Sequence, residues 1–200
     1  MSIVKLNNNG VKNATAFGSI TGLGNLILIK TQTVSSGVSS VSFVDGASSV
    51  VLDNTYKEYI FTFNNIHGSS SSDFQINFSS DSGSNYNVTK TTTAISAYHG
   101  ENDSTPEVYY IASHDLAQST SPKKIMGTIK NDNDGSGSGY LHLFEPSSTT
   151  FVKHFISSTQ RTDDATSNNF YTAGYCNTTS AIDAVQFTMA SGNIDAGTIT

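Results

Sequence analysis

The residues of this chain that could do chemistry are few and scattered. The loop Asn131-Asp-Asn-Asp-Gly-Ser-Gly137 begins as a calcium loop does, with Asp132, Asp134 and Ser136 at the first, third and fifth positions and Gly137 at the sixth. The twelfth position is Leu143, where a bidentate carboxylate is required, so the match fails as an EF-hand. A plain hairpin loop is the first reading and a weak surface cation site the second. His142 and His154 stand on two neighbouring β-favouring runs and could share a metal, but the sequence supplies no third ligand. A hydrogen-bonded histidine is the simpler account. Asp163-Asp164 could be placed as a glycosidase acid, but a solvated pair in a polar loop is the better reading.

Nucleophile signatures are absent in the same way. The nearest approach to a Gly-x-Ser-x-Gly elbow is Gly135-Ser-Gly-Ser-Gly139, which has glycine at its centre and sits in a polar loop. No Gly-x-Gly-x-x-Gly and no Gly-Lys-Ser/Thr phosphate loop occurs. The single cysteine, Cys176, follows Tyr175 in an apolar run and is read as a small buried hydrophobe. The expectation is a protein without catalytic residues, metal or cofactor.

The elements that must carry these residues are strands. Gly139 to Ile156 holds two aromatic-rich runs, Tyr140–Phe144 and Phe151–Ile156, around the turn segment Glu145-Pro-Ser-Ser148, and predicts a central hairpin buried on both faces. Tyr56–Ile66 puts Tyr59, Phe61 and Phe63 on one face with Ile60 opposite. Asp73–Phe78 alternates Phe74, Ile76 and Phe78 with polar residues. Further strands are expected over 25–33, 38–43, 50–52, 86–98, 107–113, 124–130, 170–177 and 181–190. His114–Ser121 is the one segment in which a short helix has to be considered. Ser157–Asn169 is polar enough to read as a loop, and Asp195-Ala-Gly197 as a turn. About ten short strands with frequent turns predict an all-β, antiparallel sandwich of jelly-roll type over residues 26–200. Residues 1–25 carry no periodic pattern and are expected to form an extended N-terminal arm or adaptor that lies on something else.

Composition narrows the partners. Of 200 residues only 13% are charged, net charge is −6, and no Lys/Arg block is denser than Lys123-Lys124, which argues against nucleic acid. The start of the chain has no basic segment followed by an apolar core, and no apolar run is long enough to span a membrane, so membrane insertion is not expected. The 9 Tyr and 11 Phe argue for a packed core in spite of the Ser, Thr, Asn and Gly content.

Three stretches carry a resemblance: Asp53-Asn-Thr-Tyr-Lys-Glu-Tyr-Ile-Phe-Thr-Phe-Asn-Asn-Ile-His67, the hairpin Gly139–Ile156, and Ser191-Gly-Asn-Ile-Asp-Ala-Gly-Thr-Ile199. They resemble a family of uncharacterised virion proteins of tailed phages of marine bacteria, notably cyanophages. The resemblance runs from about Gly22 onward and transfers no functional residue. It implies a non-enzymatic structural protein of a virion, made in a host cytoplasm and released by lysis. A tail-fibre or tail-tip subunit for host attachment is the first expectation, a capsid decoration protein the second, and a glycan-processing enzyme a distant third. Contact with other virion proteins through the arm and a homo-oligomer, most simply a trimer, go with it. Host-surface glycan recognition is assigned to polar loops at one end of the sandwich: His67–Ser72, His99–Thr105, Asn131–Ser138 and Ser157–Asn169. Asp132, Asp134, Tyr140, Asp163 and Asp164 are the recognition candidates, because carboxylates bond sugar hydroxyls while aromatic rings cover the apolar face of a sugar.

Overall fold

The computed structural model describes residues 26–163 and 165–200, and the expected arm lies outside them. Twelve strands account for most of the described chain: β1 Gln32–Val34, β2 Val41–Val44, β3 Glu58–Gly68, β4 Ser72–Ser79, β5 Lys90–Gly100, β6 Glu107–Tyr110, β7 Lys123–Ile129, β8 Gly137–Phe144, β9 Lys153–Asp163, β10 Thr166–Cys176, β11 Ala184–Met189 and β12 Ile194–Ile199. They form an eight-stranded sheet, β1-β12-β3-β8-β9-β10-β5-β6, and a four-stranded sheet, β2-β11-β4-β7. Every pairing is antiparallel. The pairs β1/β12, β2/β11, β3/β8 and β4/β7 nest inside one another, so the chain is one long hairpin rolled into two layers. That is the jelly roll expected from the sequence. Two hairpin insertions enlarge it. β5 and β6 enter between β4 and β7, β9 and β10 between β8 and β11, and all four extend the same edge of the large sheet.

Alternation builds the core. Tyr59, Phe61 and Phe63 of β3 and Phe74, Ile76 and Phe78 of β4 point inward and are buried, as their period of two requires. Phe187 of β11 is the hub. Its ring lies 5.2 to 6.2 Å from Phe43, Phe61, Phe63 and Phe74, edge-on to three of them and stacked on Phe74.

Several expectations need correction. Ser157–Asn169 is not a loop: it is most of the β9–β10 hairpin, paired without a break from Lys153↔Cys176 to Asp163↔Thr166. The stretch looks polar because its inward residues are themselves polar: Ser157, Thr159, Arg161 and Asn168 are all buried. Asp195–Gly197 is not a turn but part of β12, where two register shifts against β3 make bulges. The β8–β9 hairpin is buried on one face only. Leu141, Leu143 and Phe155 are fully covered, whereas Tyr140 and Ile156 face solvent. Val50–Leu52 packs into the core without forming a strand. The helix considered over 114–121 reduces to one 3-10 turn at Ala112–His114. Of the expected strand at 25–33, only Gln32–Val34 pairs.

Three lysines are wholly covered: Lys90, Lys123 and Lys153. Lys90, Cys176 and Lys153 stand in one row across β5, β10 and β9. Each ammonium donates to a carbonyl oxygen of a connecting segment, and that of Lys90 also to Asn77 of β4. Lys90 Nζ finds Asn77 Oδ1 (2.6 Å) and Val88 O (3.0 Å), Lys123 Nζ finds His114 O (2.6 Å), and Lys153 Nζ finds Ser180 O (2.6 Å). These partners are neutral, so burial wins and pushes Lys90 and Lys123 down to about 8, while the Cys176 thiol is pushed up to about 12. Below pH 8 Lys90 and Lys123 both carry their charge in the native state in spite of burial. Between pH 8 and the ordinary lysine value the unfolded chain holds protons that the native state has released, so this contribution to stability rises with pH. Cys176 acts in the opposite sense, so the measurement is a difference. The stability of the native chain minus that of a Lys90→Met/Lys123→Met variant, taken from urea unfolding, is expected to increase between pH 8 and 10 by on the order of a few kcal/mol. A flat difference would show that the ammonium groups are solvated.

Candidate functional site

The strand registers bring five connections to one end of the sandwich. Gly68 faces Ile194, Gly100 faces Thr166 and Gly137 faces Arg161, so the segments after β3, β5 and β11, before β8 and after β9 are neighbours. Side chains tie them together. Ser71 Oγ donates to Asn131 Oδ1 (2.7 Å), Ser70 Oγ donates to Ser191 O (2.9 Å), and Glu101 N donates to Ala165 O (2.8 Å). All four loop regions expected to act in recognition reach this end.

Asp132 and Asp134 are exposed here, in the connection from β7 to β8. Asp163 closes β9 at the same end, and Asp164 lies outside the described residues. Tyr140 stands apart, 45% exposed on the outer face of the large sheet, with its ring 5.2 Å from the His142 ring. His142 and His154 are not cross-strand partners, because His142 faces Ile156 and His154 faces Tyr175. His142 Nδ1 is hydrogen-bonded to the Glu58 carboxylate instead. Among the described residues no group of three His, Cys, Asp or Glu side chains is placed to hold a metal ion.

His67 organises the end of the sandwich. Its Nδ1 lies 2.6 Å from Asp195 Oδ1 and its Nε2 lies 3.0 Å from the carbonyl oxygen of Asp132. Both partners are acceptors, so both bonds exist together only in the doubly protonated ring. The bond to the Asp195 carboxylate accordingly raises the His67 pKa above its ordinary value, with desolvation opposing it. The stabilisation is complete below the unfolded histidine value and fades as pH rises through the folded one. The loop carrying Asp132 and Asp134 is thus clamped by an imidazolium. By nuclear magnetic resonance, His67 is expected to titrate above the usual histidine value and to return to it in Asp195→Asn, with faster amide exchange at Gly135. Unchanged titration in that variant would remove the clamp.

A cavity of about 360 Å³ opens beside these loops, lined by Tyr98, Glu107, Tyr109, Arg161, Thr166 and Asn168. The register explains it. Arg161, Asn168, Tyr98 and Glu107 form one inward row across β9, β10, β5 and β6, where the large sheet runs past the small one. Tyr98 OH donates to Glu107 Oε2 (2.8 Å), and the Tyr98 and Tyr109 rings meet edge-on at 5.7 Å. Ser96 Oγ donates to Asn168 Oδ1 (3.2 Å) and fixes the amide. The Arg161 side chain fits because β7 offers Gly127, where a Cβ would come within 3.0 Å of Arg161 Nε. A guanidinium, a carboxylate, an amide and two phenol rings around one concavity can bond a polyol or a carboxylate and cover a ring. Sequence reading missed Glu107, Tyr109, Arg161 and Asn168. The alternation of polar residues in 157–161 was the available signal.

No protein-family model, no curated protein and no solved structure matches this chain.

Proposed function

We propose that the chain is a non-enzymatic structural protein of a tailed-phage virion, a tail-fibre or tail-tip subunit that takes part in attachment to a host-surface glycan. The observation that carries this reading is the Tyr98–Glu107–Tyr109–Arg161–Asn168 cavity at the end where the polar connections converge. A rigid jelly roll holds the rings and polar groups, and the exposed loops around it widen the contact. The resemblance of the Asp53–His67, Gly139–Ile156 and Ser191–Ile199 stretches supplies the virion context. A capsid decoration protein uses the same scaffold without needing the cavity.

Replacing Tyr109 by Ala and Glu107 by Gln together removes a ring and a charge from an edge strand whose residues are all exposed. The melting temperature is expected to stay within a few degrees, while adsorption of the particle to host cells falls at least tenfold. Unaltered adsorption in the folded variant favours decoration, and locating the subunit by electron microscopy of the particle checks the assignment directly.

Self-association belongs to the same proposal. The outer face of the large sheet carries Tyr140, Ile156, Tyr171, Ile95 and Tyr110, each more than 40% exposed, in adjoining cross-strand positions. With strands about 4.8 Å apart and residues about 3.4 Å apart, these five strands by seven residues span roughly 570 Å², near the low end, about 600 Å² per partner, of a stable interface. A homo-oligomer, most simply a trimer, joined through this face is expected to dissociate in Ile156→Glu/Tyr171→Glu, as read by sedimentation. A native chain that sediments as a monomer at micromolar concentration would count against it.

A further inference from the structure

The cavity beside the polar connections has a direction. Arg161, Asn168, Tyr98 and Glu107 stand in one row across β9, β10, β5 and β6. Three strand spacings of about 4.8 Å put the first and last backbones of that row roughly 14 Å apart. The cation stands at one end and the carboxylate at the other. Burial is graded in the same sense. Arg161 and Asn168 are 7% and 6% exposed, whereas Tyr109 is 37% exposed and Glu107 belongs to a strand exposed throughout. The guanidinium therefore belongs to the floor of the cavity and the carboxylate to its mouth. At about 360 Å³ the space is near the small end of ligand sites, which suits a single sugar ring.

The two ends ask for different groups. A guanidinium presents its N–H donors in a planar fork and takes a carboxylate through two of them. Gly127 of β7 leaves the space that this fork occupies, since a Cβ there would come within 3.0 Å of Arg161 Nε and 3.2 Å of Nη2. A floor shielded from water strengthens the pairing. Glu107 acts in the opposite sense at the mouth. It accepts from Tyr98 OH (2.8 Å), and its remaining lone pairs accept hydroxyls while its charge repels an acid that enters the wrong way round. Tyr109, on the same strand, offers its ring to the apolar face of a sugar. The chain as a whole carries a net charge of −6 and draws in no anion, so a preference for one has to come from Arg161, the cation lining the cavity.

We propose that the cavity takes an anionic sugar, a uronate residue of a surface polysaccharide, with its carboxylate on Arg161, its hydroxyls between Asn168 and Glu107 and its ring against Tyr109. This inference rests on the attachment reading and narrows it from glycans in general to acidic ones. A neutral hexose brings the same ring and the same hydroxyls to the mouth, and only a further hydroxyl to the guanidinium.

The test titrates the full chain with methyl glucuronoside, its methyl ester, methyl glucoside and acetate, following the ring signals of Tyr98 and Tyr109 by nuclear magnetic resonance. The three sugars differ only in whether an acid, an ester or an alcohol hangs from the ring. The acid is expected to bind roughly tenfold or more tighter than the other two, and acetate, which has no ring, more weakly than the acid. Arg161→Lys keeps the charge and loses the fork, and is expected to lower the ratio several-fold. The comparison of acid with ester needs no variant and decides the matter even if Arg161→Lys does not fold. Equal affinity for acid and glucoside, an undiminished ratio in a folded Arg161→Lys, or acetate binding as tightly as the acid would each overturn the proposal. So would the absence of any shift in the tyrosine signals. The attachment reading has its own separate test, the adsorption of particles carrying Tyr109→Ala/Glu107→Gln, so the two can fail independently.

Discussion

The structure depends on an inequality: four strands cannot cover eight. The rolled hairpin alone would give two matched layers of four, β1-β12-β3-β8 against β2-β11-β4-β7. The two inserted hairpins join only the first layer, so its inner face runs on beyond the second. Where the layers overlap, the inward residues are aromatic and aliphatic. Where they do not, the same inward positions become Ser, Thr, Asn, Arg and Lys, which hold hydrogen bonds that a hydrocarbon core would leave unmade. Lys90, Lys153, the polar row and the open cavity lie on this overhang, and Lys123 opens β7, the edge strand of the smaller sheet.

That inequality also explains what could be learned from the chain before its structure. Strands with a covered face announce themselves by apolar alternation, as Tyr59-Ile60-Phe61-Thr62-Phe63 and Phe74-Gln-Ile-Asn-Phe78 do, and the sandwich follows from them. The nesting of pairs, and with it the jelly roll, was legible as a class only, because register across 100 residues leaves no local mark. The overhang was illegible for a physical reason. In the Ser157–Asn169 part of the β9–β10 hairpin both faces are polar, one meeting water and the other an internal hydrogen-bonded layer, so the period of two survives in burial but not in hydropathy.

The candidate site divides along the same line. Asp132, Asp134 and Asp163 were found through loop composition, and the fold does bring them to one end of the sandwich. Arg161, Asn168 and Glu107 are strand residues that meet only because three different pairings align their rows. Tyr140 was placed among the loops by its neighbours in sequence. Strand direction puts it on an outer face instead, where it serves a surface and not a cavity.

The pairing of β1 with β12 has a further consequence, for the order in which the protein is made. Thr33 and Thr198 touch across 165 positions of sequence. The first described strand therefore emerges from the ribosome long before β12, its partner among the described strands, and waits while the inner hairpins form. The nested design makes folding proceed from the middle outward, with the β8–β9 hairpin available early and the outermost pair last. Such a domain closes only once its last strand has emerged, and the final step brings β1 and β12 together.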